Sequence, residues 1–383
     1  MKKLLIIAAA ALLAAACAKT YEVKETTPPA IGFGSWSEHM TKGRAQGDDA
    51  FASGDDFAVY GNKDKTTPAP VTVFDGVVVS YDGSAWDYSN HVFWDASYDK
   101  YTFYAVSPST AVTNATINAQ TGAIELASIT FGGANNDVLI ADKTEVAKGD
   151  GASSTYFNSY GAVHLYFNHA ASLVDINVKK STSLHSSTVN IQSISLDNMK
   201  NAGVLSIATG DYTRSDTGRP YIPNITISSW TSPTGTKSYL PAEGVTPVYG
   251  ADGTNPISNT NVKEIAEDTD FDPATPATPA ASTTLFNHLI VMPQTFGASG
   301  SDSSQKISIS YTLGNDPTVY SKVAYLADFD TVDDADQEDT KMDTGFQPGK
   351  HYILYLTIDA HEISFTAEIA PWTDVTGYHY LIN

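Results

Sequence analysis

The 383-residue sequence has one cysteine, three arginines and only 17% charged residues, and each scarcity excludes a class of protein. A single cysteine forms no intramolecular disulfide and builds no metal site from several thiolates, so disulfide scaffolds and zinc fingers are excluded. Arginine clamps phosphates and carboxylates with two hydrogen bonds, and the chain has only Arg44, Arg214 and Arg219. The sequence therefore offers little material for an arginine-lined anion site.

Positive charge is scarce overall, because 43 Asp and Glu residues outnumber 22 Lys and Arg residues and give a formal net charge of −21. A surface this acidic repels a phosphate backbone, so we expect no nucleic-acid partner. Hydrophobic residues make up 42% of the chain, which is enough for a packed core and excludes global disorder. The length predicts two or three domains.

Long apolar runs are also lacking, except at the N-terminus. Lys2 and Lys3 precede an apolar run at residues 4–13, which is too short to span a bilayer, and small residues then lead into Cys17. This order resembles the lipobox of bacterial lipoproteins, in which the cysteine is acylated and several acyl chains give stable anchoring. We therefore predict a lipoprotein signal peptide at residues 1–16, lipidation at Cys17 and a polar tether at residues 17–30. The alternative is an ordinary secretory signal with an incidental cysteine.

Apolar residues after the tether recur with a period of two, which indicates β-strands. We find no amphipathic pattern that predicts a helix longer than two turns in this part of the chain. The sequence therefore predicts an all-β protein made of antiparallel β-sandwiches. The alternating runs include Val71–Val79, Tyr101–Ala105, Leu173–Val178, Ile307–Leu313, Tyr352–Ile358 and Ile363–Ile369.

Two polar stretches mark the organisation of the chain. Residues 148–159 are rich in Gly and Ser and predict a boundary between an N-terminal sandwich at 31–150 and a C-terminal sandwich at 151–383. Residues 268–284 are rich in Pro, Ala and Thr and predict a long loop within the second sandwich. A third domain boundary at this loop is the alternative interpretation.

Enzyme and metal patterns are absent or incomplete, so we predict no catalytic residue, no cofactor and no metal site. There is no GxSxG elbow, and residues 345–350 lack the spacing and the Ser or Thr of a P-loop. His164 and His169 lie five residues apart and point to opposite faces of a continuous strand, so they cannot chelate one ion there. Asp268, Asp270 and Asp272 lack the Gly and the closing Glu of an EF-hand. Two alternatives stay open: a catalytic carboxylate pair that sequence cannot choose, and a calcium site in the acidic stretch 328–343.

Five tryptophans, at positions 36, 86, 94, 230 and 372, are the residues that could stack on sugars. Large aromatic side chains dominate the cores of sandwiches, so we predict that each of them packs in a core or an interface.

Several segments together resemble the fimbrillin family of surface lipoproteins, which are subunits of type V pili in Gram-negative bacteria. No one segment is specific, but their order behind a lipobox spans the mature chain. The segments are Ile31-Gly32-Phe33, Phe51–Gly61, Tyr101–Pro108, Asp137–Ala141, Val163–Leu173, Leu289–Gln294, Gly349–Tyr352 and Ile369–Trp372.

The resemblance implies two tandem transthyretin-like sandwiches in a non-enzymatic subunit or adhesin of a fimbrium, exported to the outer membrane as a lipoprotein. It also implies that a protease specific for Arg or Lys removes the first strand, and that a donor strand from another subunit fills the groove. The expected partners are other fimbrial subunits, the outer membrane through the lipid anchor, and a host protein or glycan receptor. A glycan-binding surface lipoprotein is the rival interpretation.

Individual residues fit this implied mechanism. Ile31 and Phe33 share one strand face and are expected to fill a core, and Arg44 is the expected cleavage site because no other arginine occurs in the first 200 residues. A chance basic residue in a loop is the alternative for Arg44. The C-terminal residues 377–383 alternate as a donor strand does, but they are short and close to Trp372, which favours a tip, anchor or accessory subunit.

Overall fold

The computed structural model describes most of the chain between residues 29 and 371. The described ranges are 29–34, 51–65, 69–112, 115–132, 137–141, 143–147, 162–165, 167–184, 187–208, 225, 227–265, 282–331, 340–342, 345–359 and 363–371. Cys17, Arg44 and the C-terminal residues 377–383 lie outside them, so lipidation, cleavage and strand donation stay predictions.

Alternating sequence folds into strands throughout the described residues, which confirms the all-β prediction. The strands of the first half are β1 Phe33–Gly34, β2 Asp56–Asp64, β3 Val71–Tyr81, β4 Trp86–Asp87, β5 Lys100–Ser107, β6 Ala115–Ile117, β7 Ile124–Thr130, β8 Leu139–Ala141, β9 Thr144–Ala147, β10 Val163–His164, β11 Phe167–His169 and β12 Ser172–Lys180. Those of the second half are β13 Val189–Met199, β14 Ala202–Ile207, β15 Trp230–Thr234, β16 Lys237–Tyr239, β17 Lys263–Ile265, β18 Thr283–Val291, β19 Lys306–Leu313, β20 Tyr320–Tyr325, β21 Asp330–Thr331, β22 Thr340–Lys341, β23 Lys350–Ile358 and β24 Ile363–Pro371.

Helical structure in the described residues is limited to single 3₁₀ turns. They are Ser109–Val112, Thr182–Leu184, Ile227–Ser229, Pro241–Glu243 and Leu326–Asp328. In this part of the chain no helix has the length and apolar character needed to cross a membrane.

In the described residues the strands form five sheets. The largest has the order β11-β8-β5-β2-β3-β4 with β9 beside β5, and a two-stranded sheet of β1 and β10 accompanies it. A six-stranded sheet, β18-β12-β23-β24-β21-β22, faces a five-stranded sheet, β16-β13-β19-β20 with β17 beside β13, and the two enclose one core as a sandwich. A four-stranded sheet, β15-β14-β7-β6, completes the molecule.

Most pairs of described strands are antiparallel, as predicted, but three are parallel: β1 with β10, β12 with β23, and β21 with β24. The pair β12–β23 lies in the middle of the six-stranded sheet, where Val174 is opposite Tyr352 and Ile176 is opposite Leu354. Alternation of side chains is the same in both kinds of pair, so the sequence pattern does not distinguish them.

The central strands of the seven-stranded sheet, β2 and β5, are buried on both faces. On one face Val59, Phe103 and Ala105 pack with β1 and β10, and on the other Tyr104 and Val106 pack against the four-stranded sheet. This explains why seven consecutive residues of β5, Tyr101–Ser107, are all buried, a pattern normally seen in sheets covered on both sides.

Strand pairing crosses the predicted boundary at residue 150 in both directions. Strand β11, which follows that residue, pairs with β8 of the seven-stranded sheet, while β7, which precedes it, pairs with β14. The division into domains at 31–150 and 151–383 stays a prediction.

Candidate functional site: the seat of the first strand

The segment Pro29–Gly34 lies in a groove beside the seven-stranded sheet, and we call this groove the first-strand groove. One wall is formed by the chain around Tyr88–Trp94 and the other by β10, Val163–His164. Ile31 is fully buried and Phe33 is 5% exposed, so both side chains fill the core, as the sequence predicted.

Backbone hydrogen bonds hold the segment on both sides. The Ile31 N–H donates to the Val92 carbonyl at 2.7 Å, and the Val163 N–H donates to the Gly32 carbonyl at 2.7 Å. The Tyr88 hydroxyl donates to the Ile31 carbonyl at 2.7 Å. The groove therefore recognises the backbone of its occupant from both edges, as in β-strand addition.

Phe33 lies in the middle of an aromatic cluster. Four other rings surround it with centroid distances of 5.4 to 6.1 Å and mostly edge-to-face geometry, the arrangement that aromatic quadrupoles favour. The four residues are Phe57, Phe74, Tyr88 and Phe103. Without Phe33 this cluster would face an empty apolar slot.

The chain beyond the first strand is anchored again at Phe51. Its ring lies 4.9 Å from that of Trp86 and 5.4 Å from that of Phe167, and its side chain is buried. Arg44 thus falls between two buried anchors, Phe33 and Phe51. Cleavage after Arg44 would break the covalent link between the first strand and the rest of the chain. Phe51 would stay with the rest of the chain.

The three described tryptophans pack in the cores, as predicted. Trp94 and Trp230 are buried, and the Trp230 Nε1–H donates to the Ala170 carbonyl at 3.0 Å. Trp86 is partly buried and packs against the core beneath the seven-stranded sheet. Trp36 and Trp372 lie outside the described residues.

The histidine that the sequence analysis considered on β11 is buried beside a carboxylate. His169 Nδ1 lies 2.8 Å from Asp137 Oδ2, and both side chains are at most 5% exposed. This is a structural pair within the fold. The EF-hand-like residues 268–272 and most of the acidic stretch 328–343 lie outside the described residues, so the calcium alternative is untested.

The sequence did not predict a cluster of three potential metal ligands, formed by Asp175, His288 and His351. Their ligand atoms lie within 4.8 Å of one another, although the residues are far apart in the chain. They meet because β12 lies between β18 and β23, a neighbourhood that alternation alone does not reveal. The available signal was a polar residue within the apolar run of β12 and of β18 and one at the start of the run of β23.

Comparison with known proteins shows the family of the chain and supports its all-β fold. The model of the fimbrillin-like family matches residues 43–372, so the chain belongs to this family. The fold is similar to that of a fimbrial protein from Bacteroides vulgatus ATCC 8482, with a TM-score of 0.52, 16% identity, and coverage of 90% of this chain and 100% of that one. The tip fimbrial protein Mfa3 from Porphyromonas gingivalis, with a C-terminal truncation, matches with a TM-score of 0.40, 13% identity, and coverage of 86% and 97%. No curated protein sequence matches the chain.

Proposed function

We propose that the protein is a non-enzymatic subunit or adhesin of a fimbrium that is exported as an outer-membrane lipoprotein through Cys17. Cleavage after Arg44 releases the first strand, and a strand from another subunit replaces it in the first-strand groove. The observation that carries the proposal is the burial of Ile31 and Phe33 in a groove with hydrogen-bonding partners on both edges.

The energetics fit a strand that is replaced rather than simply lost. Fully burying an Ile or Phe side chain stabilises a fold by roughly 1.5–3 kcal/mol, so an empty groove would cost several kcal/mol in total. A partner strand with apolar residues at alternate positions would recover this free energy. The open edge would also pair readily with another chain.

The decisive experiment uses an arginine-specific protease. In a variant carrying R214K and R219K, Arg44 is the sole arginine left, so cleavage is confined to one bond. We expect loss of the N-terminal fragment, identified by mass spectrometry, followed by higher oligomers or binding of a synthetic peptide with the sequence of residues 29–35.

The matched control is the same variant with R44K, which the protease cannot cut. A cut protein that releases its fragment yet remains monomeric and binds no peptide would contradict strand exchange. Lipidation is tested separately by incorporation of labelled palmitate, which is expected in the wild type and lost in C17S.

The rival function, a glycan-binding surface lipoprotein, has weaker support in the described residues because Trp94 and Trp230 are buried. Retention on glycan affinity gels by the uncut protein would favour the rival.

A further inference from the structure

We propose that Asp175, His288 and His351 form a binding site for a divalent transition-metal ion such as Zn²⁺. Among the described residues this is the one group of three His, Cys, Asp or Glu side chains with converging ligand atoms. The proposal is independent of strand exchange, because the group lies on the six-stranded sheet and shares no residue with the first-strand groove.

The distances suit a single ion. Asp175 Oδ2 lies 2.9 Å from His351 Nε2 and 3.8 Å from His288 Nε2. Two ligands of one tetrahedral Zn²⁺ ion lie roughly 3.3 Å apart, since each is about 2.0–2.1 Å from the metal. These two distances fall on either side of this value, and the third, between the ligand nitrogens of the two imidazoles, is at most 4.8 Å. Side-chain shifts of about an ångström would therefore bring the three atoms to the spacing that one ion needs.

The backbone brings His288 into place through an irregularity in β18. Pairing of β12 with β18 shifts register between Val174 and Ile176, so Asp175 faces the extra residues of a bulge. His288 has a φ of +56° in this bulge. Bulges re-aim side chains and recur near functional sites.

The same bulge orients the carboxylate. The His288 N–H donates to Asp175 Oδ1 at 2.5 Å, which leaves Oδ2 directed at the two imidazoles. The His288 carbonyl accepts a hydrogen bond from the Val245 N–H at 3.1 Å, so the bulge is also held from outside the sheet. Such hydrogen bonds around the ligands preorganise metal sites.

His351 arrives on the other side of Asp175 through the parallel pair β12–β23. In that register His351 is opposite Leu173 and Ile353 is opposite Asp175, so all of them point to the face of the sheet that lies away from the sandwich core. The two imidazole centroids are 5.8 Å apart with an interplanar angle of 73°. Each ring can therefore direct Nε2 at the same point.

Donor chemistry selects the class of ion. Imidazole suits Zn²⁺, Ni²⁺, Cu²⁺ and Co²⁺, whereas Ca²⁺ and Mg²⁺ prefer all-oxygen sites. The side chains of Asp175, His288 and His351 are 13%, 32% and 19% exposed, so the site is shielded but reachable. Three protein ligands leave the fourth tetrahedral position open to water or to a side chain of another molecule.

Direct Zn²⁺ titration tests the proposal. The full chain carries C17S and a purification tag without histidine, so that neither the thiol nor the tag competes. Isothermal calorimetry should give one tight Zn²⁺ equivalent that excess Ca²⁺ does not displace, and X-ray absorption should show nitrogen and oxygen ligands at about 2.0–2.2 Å.

The test variants are H351Q and H288N. Asparagine tolerates positive φ, so H288N keeps the bulge while removing the imidazole. Each should weaken Zn²⁺ binding by roughly 10–100-fold or more, because removing even a hydrogen-bonding partner of a metal ligand weakens metal affinity by that factor. The matched control is H91Q, because His91 Nε2 also lies against a carboxylate, Asp87, at 2.7 Å, but in an exposed pair; its Zn²⁺ affinity should equal that of the parent.

Two results would overturn the proposal. One is a parent protein with native circular dichroism that binds no Zn²⁺, in which case the three side chains form only a hydrogen-bonded network. The other is a Zn²⁺ affinity unchanged in both H351Q and H288N, with folding of each variant verified by its melting temperature, which would place the bound ion elsewhere.

Discussion

Phe33 links the first strand to the fold through one side chain. Its ring contacts four aromatic rings that themselves belong to different strands and loops. Ile31 adds a second buried side chain, but an aliphatic side chain takes no part in edge-to-face contacts between aromatic rings. At the scale of single residues, the hold on the first strand therefore depends mainly on Phe33.

Phe33→Ala should lower the free energy of unfolding by about 3–5 kcal/mol, because it removes a buried ring and leaves a cavity. Urea denaturation followed by tryptophan fluorescence measures the change. Phe93→Ala is the matched control, since Phe93 neighbours the same groove but is 50% exposed, and its effect should stay within about 1 kcal/mol. Equal losses in the two variants would contradict the role given to Phe33.

Buried tyrosines predict alkaline instability. Burial raises the pKa of Tyr101, Tyr104 and Tyr352 from an ordinary value of 10.0 to about 12. A raised pKa means that the folded state favours the neutral phenol. The contribution of these tyrosines to the free energy of unfolding is therefore complete below pH 10 and is lost as the pH rises through about 12.

Ultraviolet absorbance of phenolate, recorded together with circular dichroism during a titration with base, measures this effect. We expect the buried phenols to ionise only as the fold is lost. Ionisation of all tyrosines near pH 10 with an intact fold would disprove the prediction.

Strands were largely predictable at the scale of elements, and their neighbours were not. Alternation correctly predicted β3, β5, β12, β19, β23 and β24, because each has apolar residues on at least one buried face. It did not predict that β5 is covered on both faces, that β12 and β23 run parallel, or that β18 carries a bulge at His288.

The reason is physical, because those features depend on which distant strand lies alongside. The burial of Ile31 and Phe33 could be predicted because a short apolar strand must bury its face somewhere. The meeting of Asp175 with His288 and His351 could not, because it rests on a register set by residues more than a hundred positions away.

Because β2 and β5 are buried on both faces, we expect polar substitutions on either face of these strands to lower the free energy of unfolding by similar amounts. Val59 and Val106 are both fully buried but belong to different cores. Val59→Thr and Val106→Thr should each cost about 1–3 kcal/mol, since each buries a hydroxyl in place of a methyl group. Val323→Thr is the control, because Val323 is 45% exposed on β20; denaturation midpoints would disprove the double burial if one core variant behaved like this control.

One hydrophobic core, which we call the middle core, lies between the seven-stranded and the four-stranded sheets and reaches β12 of the sandwich. That core combines residues of the seven-stranded sheet, the four-stranded sheet and the start of β12. Leu173 contributes to it, while the next residue, Val174, contributes to the core of the sandwich. Strand β12 therefore belongs to two cores at once.

Leu173→Ala should destabilise the seven-stranded sheet and the sandwich together. We expect a loss of about 2–5 kcal/mol in the free energy of unfolding, the usual cost of truncating a buried leucine. Hydrogen exchange by mass spectrometry at β5 and at β19 reports on the two parts separately. Leu196→Ala, confined to the sandwich core, is the comparison and should accelerate exchange at β19 more than at β5. Unchanged exchange at β5 in Leu173→Ala would show that the middle core does not couple them.

The position of Pro29–Gly34 in its own groove also bears on filament length. Strand exchange joins subunits head to tail, and such heterologous contacts extend without closing. In the proposed assembly, a subunit that keeps its own first strand has no vacancy to offer, so growth stops at that subunit. The proportion of molecules left uncut at Arg44 would then act as a chain terminator, and the average filament would shorten as that proportion increases.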